Sequence, residues 1–292
     1  MAADRAILFR LATSERLERA VRRAPAGERL AWRAAARYVA GQDPAAAVQR
    51  ARELAAAGIA ASLDLFGELV RDTAVADRVA ADYRELADRL TGLPAGTWLS
   101  VDMSHLGLDI DPAGGADRLA TIAERLPEGR RVQVGAEDFG RADAVLTCVE
   151  TVAARGLADR LGATAQANLH RTGPDLERMA AAGVHVRLVK GAYVEPADRA
   201  LPYGEPTDLA FLRHAHWLAA SGTPFALATH DGVLREALLL ALGPTPVEQL
   251  LGVRPEVLGE LVARPVPVRV YVPFGRAWFR YWMRRVAESR GA

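Results

Sequence analysis

From Gly58 to the C-terminus, short apolar segments rich in β-branched residues alternate with longer amphipathic segments. This alternation is typical of parallel strands joined by crossover helices. Eight such units in about 230 residues favour a closed (β/α)8 barrel over an open doubly wound sheet. The open sheet is the alternative, although no Gly-x-Gly-x-x-Gly sequence follows the first strand-like segment to support a dinucleotide site of that type. The sequence therefore predicts an α/β protein with a TIM-type barrel.

The two ends of the chain differ in pattern. Residues 1–57 contain no strand-like run and predict helices only, including Glu28–Ala40 and Pro44–Ala57. We therefore predict an N-terminal helical segment, residues 1–57, packed on a catalytic barrel of residues 58–292. The eight predicted strands are Ile59–Leu65, Trp98–Met103, Arg131–Gly135, Ala163–Ala167, His185–Lys190, Phe225–Thr229, Val247–Leu251 and Val268–Val272. The predicted helices after them are Glu68–Leu90, Ala116–Leu126, Arg141–Arg155, Pro174–Ala182, Asp208–Ala220, Gly232–Leu242, Pro255–Val262 and Arg276–Ser289.

Composition excludes several classes of protein. Lys and Arg total 37 against 36 Asp and Glu, so the basic excess expected of a nucleic-acid-binding protein is absent. The single cysteine, Cys148, allows no intramolecular disulfide and is typical of a reducing compartment. The N-terminal residues do not have the pattern of a signal peptide, and no apolar run is long enough to cross a bilayer. We expect a cytoplasmic protein with at most peripheral association with the inner face of the membrane.

Polar residues cluster where the predicted strands end, which is where barrel enzymes build their active sites. The fourth strand runs into Gln166, and Tyr271 lies at the end of the eighth. The fifth strand carries Arg187 and Lys190 and runs into Gly191. A cation in a barrel strand is costly unless an anion meets it, and a phosphate-bearing or electron-rich cofactor would do so. The alternative is a structural Arg187 paired with a neighbouring carboxylate.

The last predicted helix carries a polar stripe. Tyr281, Arg284, Arg285 and Glu288 have the spacing i, i+3, i+4 and i+7, which places them on one helix face. Two adjacent arginines can bind a carboxylate bidentately. The alternative is a solvated charged face, although the surrounding aromatic residues indicate that much of this helix is covered. The sequence contains no nucleophile elbow, and its histidines lack the spacing of metal ligands, so no metal site is predicted.

Three segments together resemble the proline dehydrogenase family, in its monofunctional bacterial type. They are Arg-Leu-Val-Lys-Gly-Ala-Tyr at residues 187–193, Ala-Thr-His-Asp at 228–231, and Arg-Val-Tyr-Val-Pro-Phe-Gly at 269–275 leading to Tyr-Trp-Met-Arg-Arg-Val-Ala-Glu at 281–288. Weaker similarities lie at residues 63–68, 166–168 and 250–252. The segments occur in the family's order, and the joint occurrence makes the resemblance specific.

The resemblance implies an FAD-dependent barrel enzyme that oxidises L-proline to Δ1-pyrroline-5-carboxylate by hydride transfer to flavin N5. It further implies a membrane quinone as electron acceptor and pyrroline-5-carboxylate dehydrogenase as a partner. Arg284 and Arg285 would bind the substrate carboxylate. The other implied substrate-pocket residues are Tyr271, Leu250, Tyr193, Tyr281 and Glu288. The implied cofactor-binding residues are Arg187, Lys190, Gly191, Gln166, Thr229 and His230.

Two positions depart from the family's pattern. Many members have Lys where this chain has Asp102, and Asp where it has Gly135. The carboxylate that many members carry on the strand of residue 135 would then be supplied by the neighbouring strand. Our hypothesis is that Asp102 reaches into the same region of the pocket. The departures leave another cyclic amino acid, such as a hydroxyproline or pipecolate, as an alternative substrate. A barrel that binds a small acid without turnover is the alternative from a different class.

Overall fold

The computed structural model describes residues 15–191 and 193–289, and the barrel is its dominant feature. Eight parallel strands follow one another around a closed sheet in sequence order. Pairing of the first strand with the last, from Ala60 opposite Arg269 to Leu65 opposite Phe274, closes the sheet. The predicted (β/α)8 barrel is confirmed. The strands are β1 Ala60–Leu65, β2 Trp98–Val101, β3 Val132–Val134, β4 Leu161–Gln166, β5 His185–Val189, β6 Phe225–Ala228, β7 Val247–Leu250 and β8 Val268–Phe274.

The helices lie before, between and after the strands. A short helical turn at Ala153–Leu157 and another at Ala158–Arg160 follow the helix that precedes β4. The helices are α1 Glu15–Arg23, α2 Gly27–Ala35, α3 Pro44–Ala56, α4 Thr73–Arg89, α5 Pro112–Arg125, α6 Phe139–Val152, α7 Thr172–Ala181, α8 Glu205–Ser221, α9 Gly232–Leu242, α10 Glu256–Ala263 and α11 Trp278–Ser289.

The two faces of the sheet are chemically different. Apolar strand residues such as Leu63, Leu99 and Val186 are fully buried and belong to the core between strands and helices. Side chains on alternate positions point into the barrel, because successive strand residues face opposite sides. Arg187 of β5 reaches Ser62 of β1 across this interior. The centre of the barrel is therefore polar and charged, whereas its outer face is apolar.

The start of α4 differs from the prediction. A helix was predicted from Glu68, but α4 begins at Thr73 because the Asp72 carboxylate accepts a hydrogen bond from the Val75 amide at 3.1 Å. An aspartate that caps the first turn in this way satisfies an amide that has no partner within the helix. Residues 66–72 therefore form a loop after β1, and this loop brings Glu68 to the mouth of the barrel.

The N-terminal helices pack on the last helix. Ala31 and Ala35 of α2 share an apolar cluster with Trp278 and Phe279 of α11, and the Trp32 and Trp278 rings meet edge to face at 5.0 Å. Further along, α3 contacts β1 and β8. The division into segments at residue 57 stays a prediction, and residues 1–14 of the predicted helical segment lie outside the described residues. No helix within the described ranges has the length and apolarity needed to cross a membrane.

Candidate active site

A cavity of about 550 Å³ opens at the carboxyl ends of the strands. Side chains from β5 and from α11 line the same cavity, so the two cationic groups singled out in the sequence converge on one space. Of the fourteen predicted site residues, twelve line it: Asp102, Arg187, Lys190, Gly191, Tyr193, Thr229, His230, Leu250, Tyr271, Tyr281, Arg284 and Arg285.

Two predicted residues are placed differently. Gln166 is buried, donates a hydrogen bond to the Glu137 carbonyl at 2.9 Å, and lines a smaller neighbouring cavity between β4 and the adjacent helices. Glu288 lies on α11, but its side chain is outside the described part of the chain. Its predicted place in the pocket stays a prediction.

Arg187 forms a buried ion pair inside the barrel. Its Nε lies 2.5 Å from Glu248 Oε2, and its two terminal nitrogens reach the Ser100 and Ser62 hydroxyls at 3.5 and 3.4 Å. The structural pairing considered as an alternative is therefore present. Because Arg187 also lines the cavity, it fixes a positive charge at the cavity floor.

Glu248, at the centre of β7, holds two arginines. Its second oxygen, Oε1, accepts a hydrogen bond from Arg269 Nη1 at 3.0 Å. Burial raises the pKa of Glu248, but the charges of Arg187 and Arg269 outweigh it and lower the pKa to about 2. Glu248 is therefore ionised at neutral pH.

Lys190 follows β5 and is held by two carboxylates. Its Nζ lies 2.6 Å from Asp208 of α8 and 2.8 Å from Asp231, which also caps α9. Burial lowers the pKa of Lys190, but these two partners raise it above its usual value on balance. Next to it, Gly191 has a φ of +148°, and a Cβ there would lie 2.2 Å from Asn168 Oδ1. Only glycine fits this close approach.

The α11 arginines stand on the opposite wall. Arg284 pairs with Glu68 in the loop after β1, and Arg285 lies over the Tyr281 ring at 5.0 Å. The pKa of Arg284 is raised, because Glu68 and other acidic groups outweigh the cost of burial. Two guanidinium groups on consecutive residues can present several N–H donors to one anion.

Tyrosines form the wall between these groups. Tyr271 of β8 donates a hydrogen bond to the Asp64 carboxylate, and its ring lies 6.0 Å from that of Tyr281. Tyr193, after β5, donates to the Ala136 carbonyl at 3.2 Å. Burial raises the pKa of Tyr271 and of Tyr193, so both remain neutral phenols.

The ends of β6 and β7 supply a less polar surface. His230 Nε2 lies 3.3 Å from the backbone nitrogen of Leu250 and accepts its hydrogen bond. Burial, assisted by the charge of Arg285, lowers the pKa of His230 to about 4, so the ring is neutral at pH 7. Thr229 accepts a hydrogen bond from the Asp231 amide at 3.1 Å.

Sequence reasoning missed several carboxylates at or below the cavity. Asp64 of β1 accepts a hydrogen bond from Tyr83 at 2.7 Å, and burial raises its pKa to about 6 despite that bond and the bond from Tyr271. Glu137, after β3, accepts a hydrogen bond from the Ser104 amide at 2.7 Å. The available signal was an acidic residue inside an apolar strand, as in Asp64 and Glu248, since such a residue needs a buried partner.

The fold and the cavity define a (β/α)8 barrel protein with a ligand site at the carboxyl ends of its strands, lined by four cations and two carboxylates. The family model for proline dehydrogenase matches residues 47–292. The chain is 31% identical to the proline dehydrogenase of Deinococcus radiodurans over 269 residues, covering 88% of this chain and 87% of that protein. It is also 31% identical over 262 residues to proline dehydrogenase 1 of Bacillus subtilis strain 168, covering 87% and 86%.

The chain therefore belongs to the proline dehydrogenase family, a family of oxidoreductases. Solved structures agree with the fold. Proline utilization A from Bdellovibrio bacteriovorus, inactivated by N-propargylglycine, matches with a TM-score of 0.79 at 19% identity and 88% coverage of this chain. A mutant of proline utilization A from Bradyrhizobium japonicum matches with a TM-score of 0.75 at 23% identity and 91% coverage. This chain spans about a third, 32%, of the length of each of these larger proteins.

Proposed function

We propose that the protein is an FAD-dependent dehydrogenase that oxidises L-proline to Δ1-pyrroline-5-carboxylate and passes the electrons to a quinone. The observation that carries this proposal is the convergence of Arg187 and Lys190 with Arg284 and Arg285 on one cavity. One group suits an anionic, electron-accepting cofactor and the other suits a substrate carboxylate. Family membership supports the same reaction.

The residues present are suited to a flavin. Gly191 lines the cavity and lies so close to Asn168 that no Cβ fits between them, and Asn168 Oδ1 is buried without a hydrogen-bond partner among the described residues. Arg187 and Lys190 supply positive charge. These residues, with Gly191, Thr229 and His230, would hold FAD, which when bound supplies the hydride-accepting atom.

The chain's own residues would orient the substrate. Arg284 and Arg285 would bind its carboxylate, while Leu250 and Tyr271 would pack against its ring. Holding the reacting carbon at a fixed distance and angle accounts for much of the catalysis in a hydride transfer. Arg187, fixed by Glu248, would stabilise the negative charge that develops beside it.

Anaerobic addition of L-proline to the purified yellow protein tests this function. Bleaching of the visible flavin band is the expected result. Bleaching only with hydroxyproline or pipecolate would identify a different cyclic substrate, and a colourless protein that binds small acids would contradict the enzymatic function. N-propargylglycine should abolish turnover, and L-proline should protect against that loss, as expected if both compounds occupy one site.

The acceptor is tested separately. With L-proline present, a soluble quinone analogue should restore the flavin absorbance faster than dissolved oxygen does. Reoxidation by oxygen alone would contradict the quinone proposal but not proline oxidation. Co-sedimentation with lipid vesicles, with and without L-proline, tests the proposed peripheral association with a membrane.

A further inference from the structure

Asp102 is an acidic group in the cavity whose carboxylate has no hydrogen-bond or ion-pair partner among the described residues. It follows β2 directly and lines the cavity. None of the described side chains donates a hydrogen bond to it or forms an ion pair with it. By contrast, Asp64 accepts two tyrosine hydrogen bonds, and Glu68 pairs with Arg284. Glu248 is held by Arg187 and Arg269. Asp102 is therefore the carboxylate with capacity to bind a ligand.

The neighbouring strand leaves room for this side chain. Gly135 follows β3, and its amide donates to the Val101 carbonyl at 2.9 Å, which fixes the register beside Asp102. A Cβ on Gly135 would lie only 1.9 Å from Asp102 Oδ1. The carboxylate therefore occupies the space that any side chain at position 135 would need. Gly135 and Asp102 form one complementary pair on adjacent strands.

The surroundings of Asp102 favour a cation. The carboxylates of Asp64, Glu137 and Glu68 act on it from β1, the β3 loop and the β1 loop, and Arg284 on α11 opposes them. Burial and these three carboxylates raise the pKa of Asp102 well above its usual range. Arg284 is already paired with Glu68. A bound cation would offset the repulsion and keep Asp102 ionised.

We propose that Asp102 is the counter-ion of the substrate's ammonium group, so that the cavity recognises both charges of a zwitterionic cyclic amino acid. Arg284 and Arg285 bind the carboxylate, and Asp102 binds the nitrogen. This assignment rests on the proposed oxidation of L-proline and goes beyond it, because it names the group that selects an amino acid over a plain ring carboxylate.

In this position Asp102 can also accept a proton from the substrate's ammonium group. The ammonium transfers one N–H proton to Asp102, which becomes a neutral carboxylic acid, and a lone pair is freed on nitrogen. As the adjacent C–H bond breaks and its hydride leaves to the oxidised flavin, that lone pair forms the C=N bond of the iminium product. The substrate therefore loses one hydride, which takes two electrons and one hydrogen nucleus to the flavin, and one proton, which goes to Asp102. A buried carboxylate with a raised pKa is a suitable proton acceptor.

A comparison of two ligands tests the assignment. Cyclopentanecarboxylate has the ring size and carboxylate of proline but lacks its nitrogen. In the FAD-loaded enzyme, Asp102→Asn should lower kcat/KM for L-proline by about 100-fold, whereas the inhibition constant of cyclopentanecarboxylate should change by less than about threefold. Equal weakening of both ligands would show a structural role and overturn the proposal. Unchanged proline kinetics would overturn it as well.

A relocated carboxylate provides the second test. Gly135→Asp alone should lower proline turnover, because its side chain collides with Asp102. Asp102→Gly combined with Gly135→Asp moves the carboxylate to the adjacent strand and should recover at least about tenfold in kcat/KM over Asp102→Gly alone. No recovery in a folded, FAD-loaded double variant would count against the proposal. Wild-type turnover of L-proline is measured first, so a failure of the proposed function is seen independently of Asp102.

Discussion

The two ends of the barrel both carry arginines, but their guanidinium groups have different surroundings. At the amino end, Arg130 donates three hydrogen bonds to backbone carbonyls of residues 93, 94 and 97, at 2.6 to 3.0 Å. Arg269 lies over the Trp98 ring at 3.3 Å and pairs with Glu248. At the carboxyl end, Arg284 and Arg285 line a cavity of about 550 Å³.

The difference separates charge used for stability from charge available for binding. A guanidinium group whose donors are directed to backbone carbonyls holds loops together and has little left for a ligand. A guanidinium group at a cavity wall can direct N–H donors into the cavity, where a ligand can accept them. The partners of each arginine, rather than the number of arginines, therefore indicate which end of this barrel is the candidate active site.

The largest expected effect is at Glu248, which pairs with Arg187 on the cavity floor and with Arg269 near the amino end. Glu248→Gln removes the charge but keeps the size, and leaves Arg187 and Arg269 without a counter-ion. We expect the free energy of unfolding at pH 7 to fall by about 3 kcal/mol. Urea titration measures the change. A loss below about 1 kcal/mol would mean that the buried pair contributes little.

The pH dependence of this effect has a defined sign. The pKa of Glu248 is lowered from its ordinary value of 4.5 to about 2 in the folded protein. Its contribution is therefore fully present above pH 4.5 and is lost as the pH falls from 4.5 towards 2. The difference in unfolding free energy between wild type and Glu248→Gln should shrink over that range. A difference that stays constant between pH 6 and pH 3.5 would contradict the assignment. At pH 3.5, about one unit below 4.5, most Glu248 carboxylates of the unfolded chain are already protonated, so part of the contribution should be lost.

The next-largest effect is expected from a substitution at the carboxyl end. Arg285→Ala should lower kcat/KM for L-proline by about 100-fold, because one partner of a charged, desolvated contact is lost. Arg285→Lys should recover only part of this, since an ammonium group lacks the planar fork of a guanidinium. Steady-state kinetics at matched FAD content measure both variants. Unchanged kinetics in Arg285→Ala would remove this residue from the substrate site.

At the amino end the same kind of substitution should affect stability alone. Arg130→Ala removes three hydrogen bonds to backbone carbonyls, two of which are buried, and we expect a loss of about 2 kcal/mol in the free energy of unfolding. Because Arg130 is at the far end of the barrel from the cavity, kcat/KM of the folded variant should equal that of wild type. A large kinetic effect at a temperature where the variant is fully folded would show that the two ends are coupled through the barrel.

The smallest effect is expected on the outer surface. Arg125 of α5 forms two hydrogen bonds with Asp88 of α4 at 2.6 and 3.0 Å, but both side chains are exposed to solvent. Arg125→Ala should therefore change neither the urea midpoint nor the kinetics measurably. This variant is the matched control for Arg130→Ala, and a clear destabilisation would indicate that ion pairs stabilise this protein regardless of burial.

The sequence predicted the barrel because each strand leaves a local pattern. Helix α9 begins and ends where it was predicted, at Gly232 and Leu242, since Asp231 is a capping residue at its start. The seventh strand had the weakest pattern, and it is the one that carries Glu248 at its centre. Its charge interrupts an apolar run, so the feature that weakened the strand prediction is the one that matters to the site.

The sequence predicted which residues line the candidate site better than it predicted their ion-pair partners. Residues at strand ends or on one helix face, such as Arg187 and Arg284, can be grouped from their spacing alone. Ion pairs across the barrel cannot be predicted in this way, because they depend on how the sheet closes. Arg187 and Glu248 are 61 positions apart, and Arg284 and Glu68 are 216 apart. Sequence spacing carries no information on such pairs.

Glu248 binds Arg187, which lines the cavity, through one oxygen and Arg269, near the amino end of the barrel, through the other. A change at this position therefore alters both the stability of the fold and the electrostatic potential in the candidate active site. Natural variation that adapts the protein to heat or to acidity through this residue would also change the charge that the cavity presents to a ligand. Those two traits should consequently evolve in concert in any lineage that replaces it.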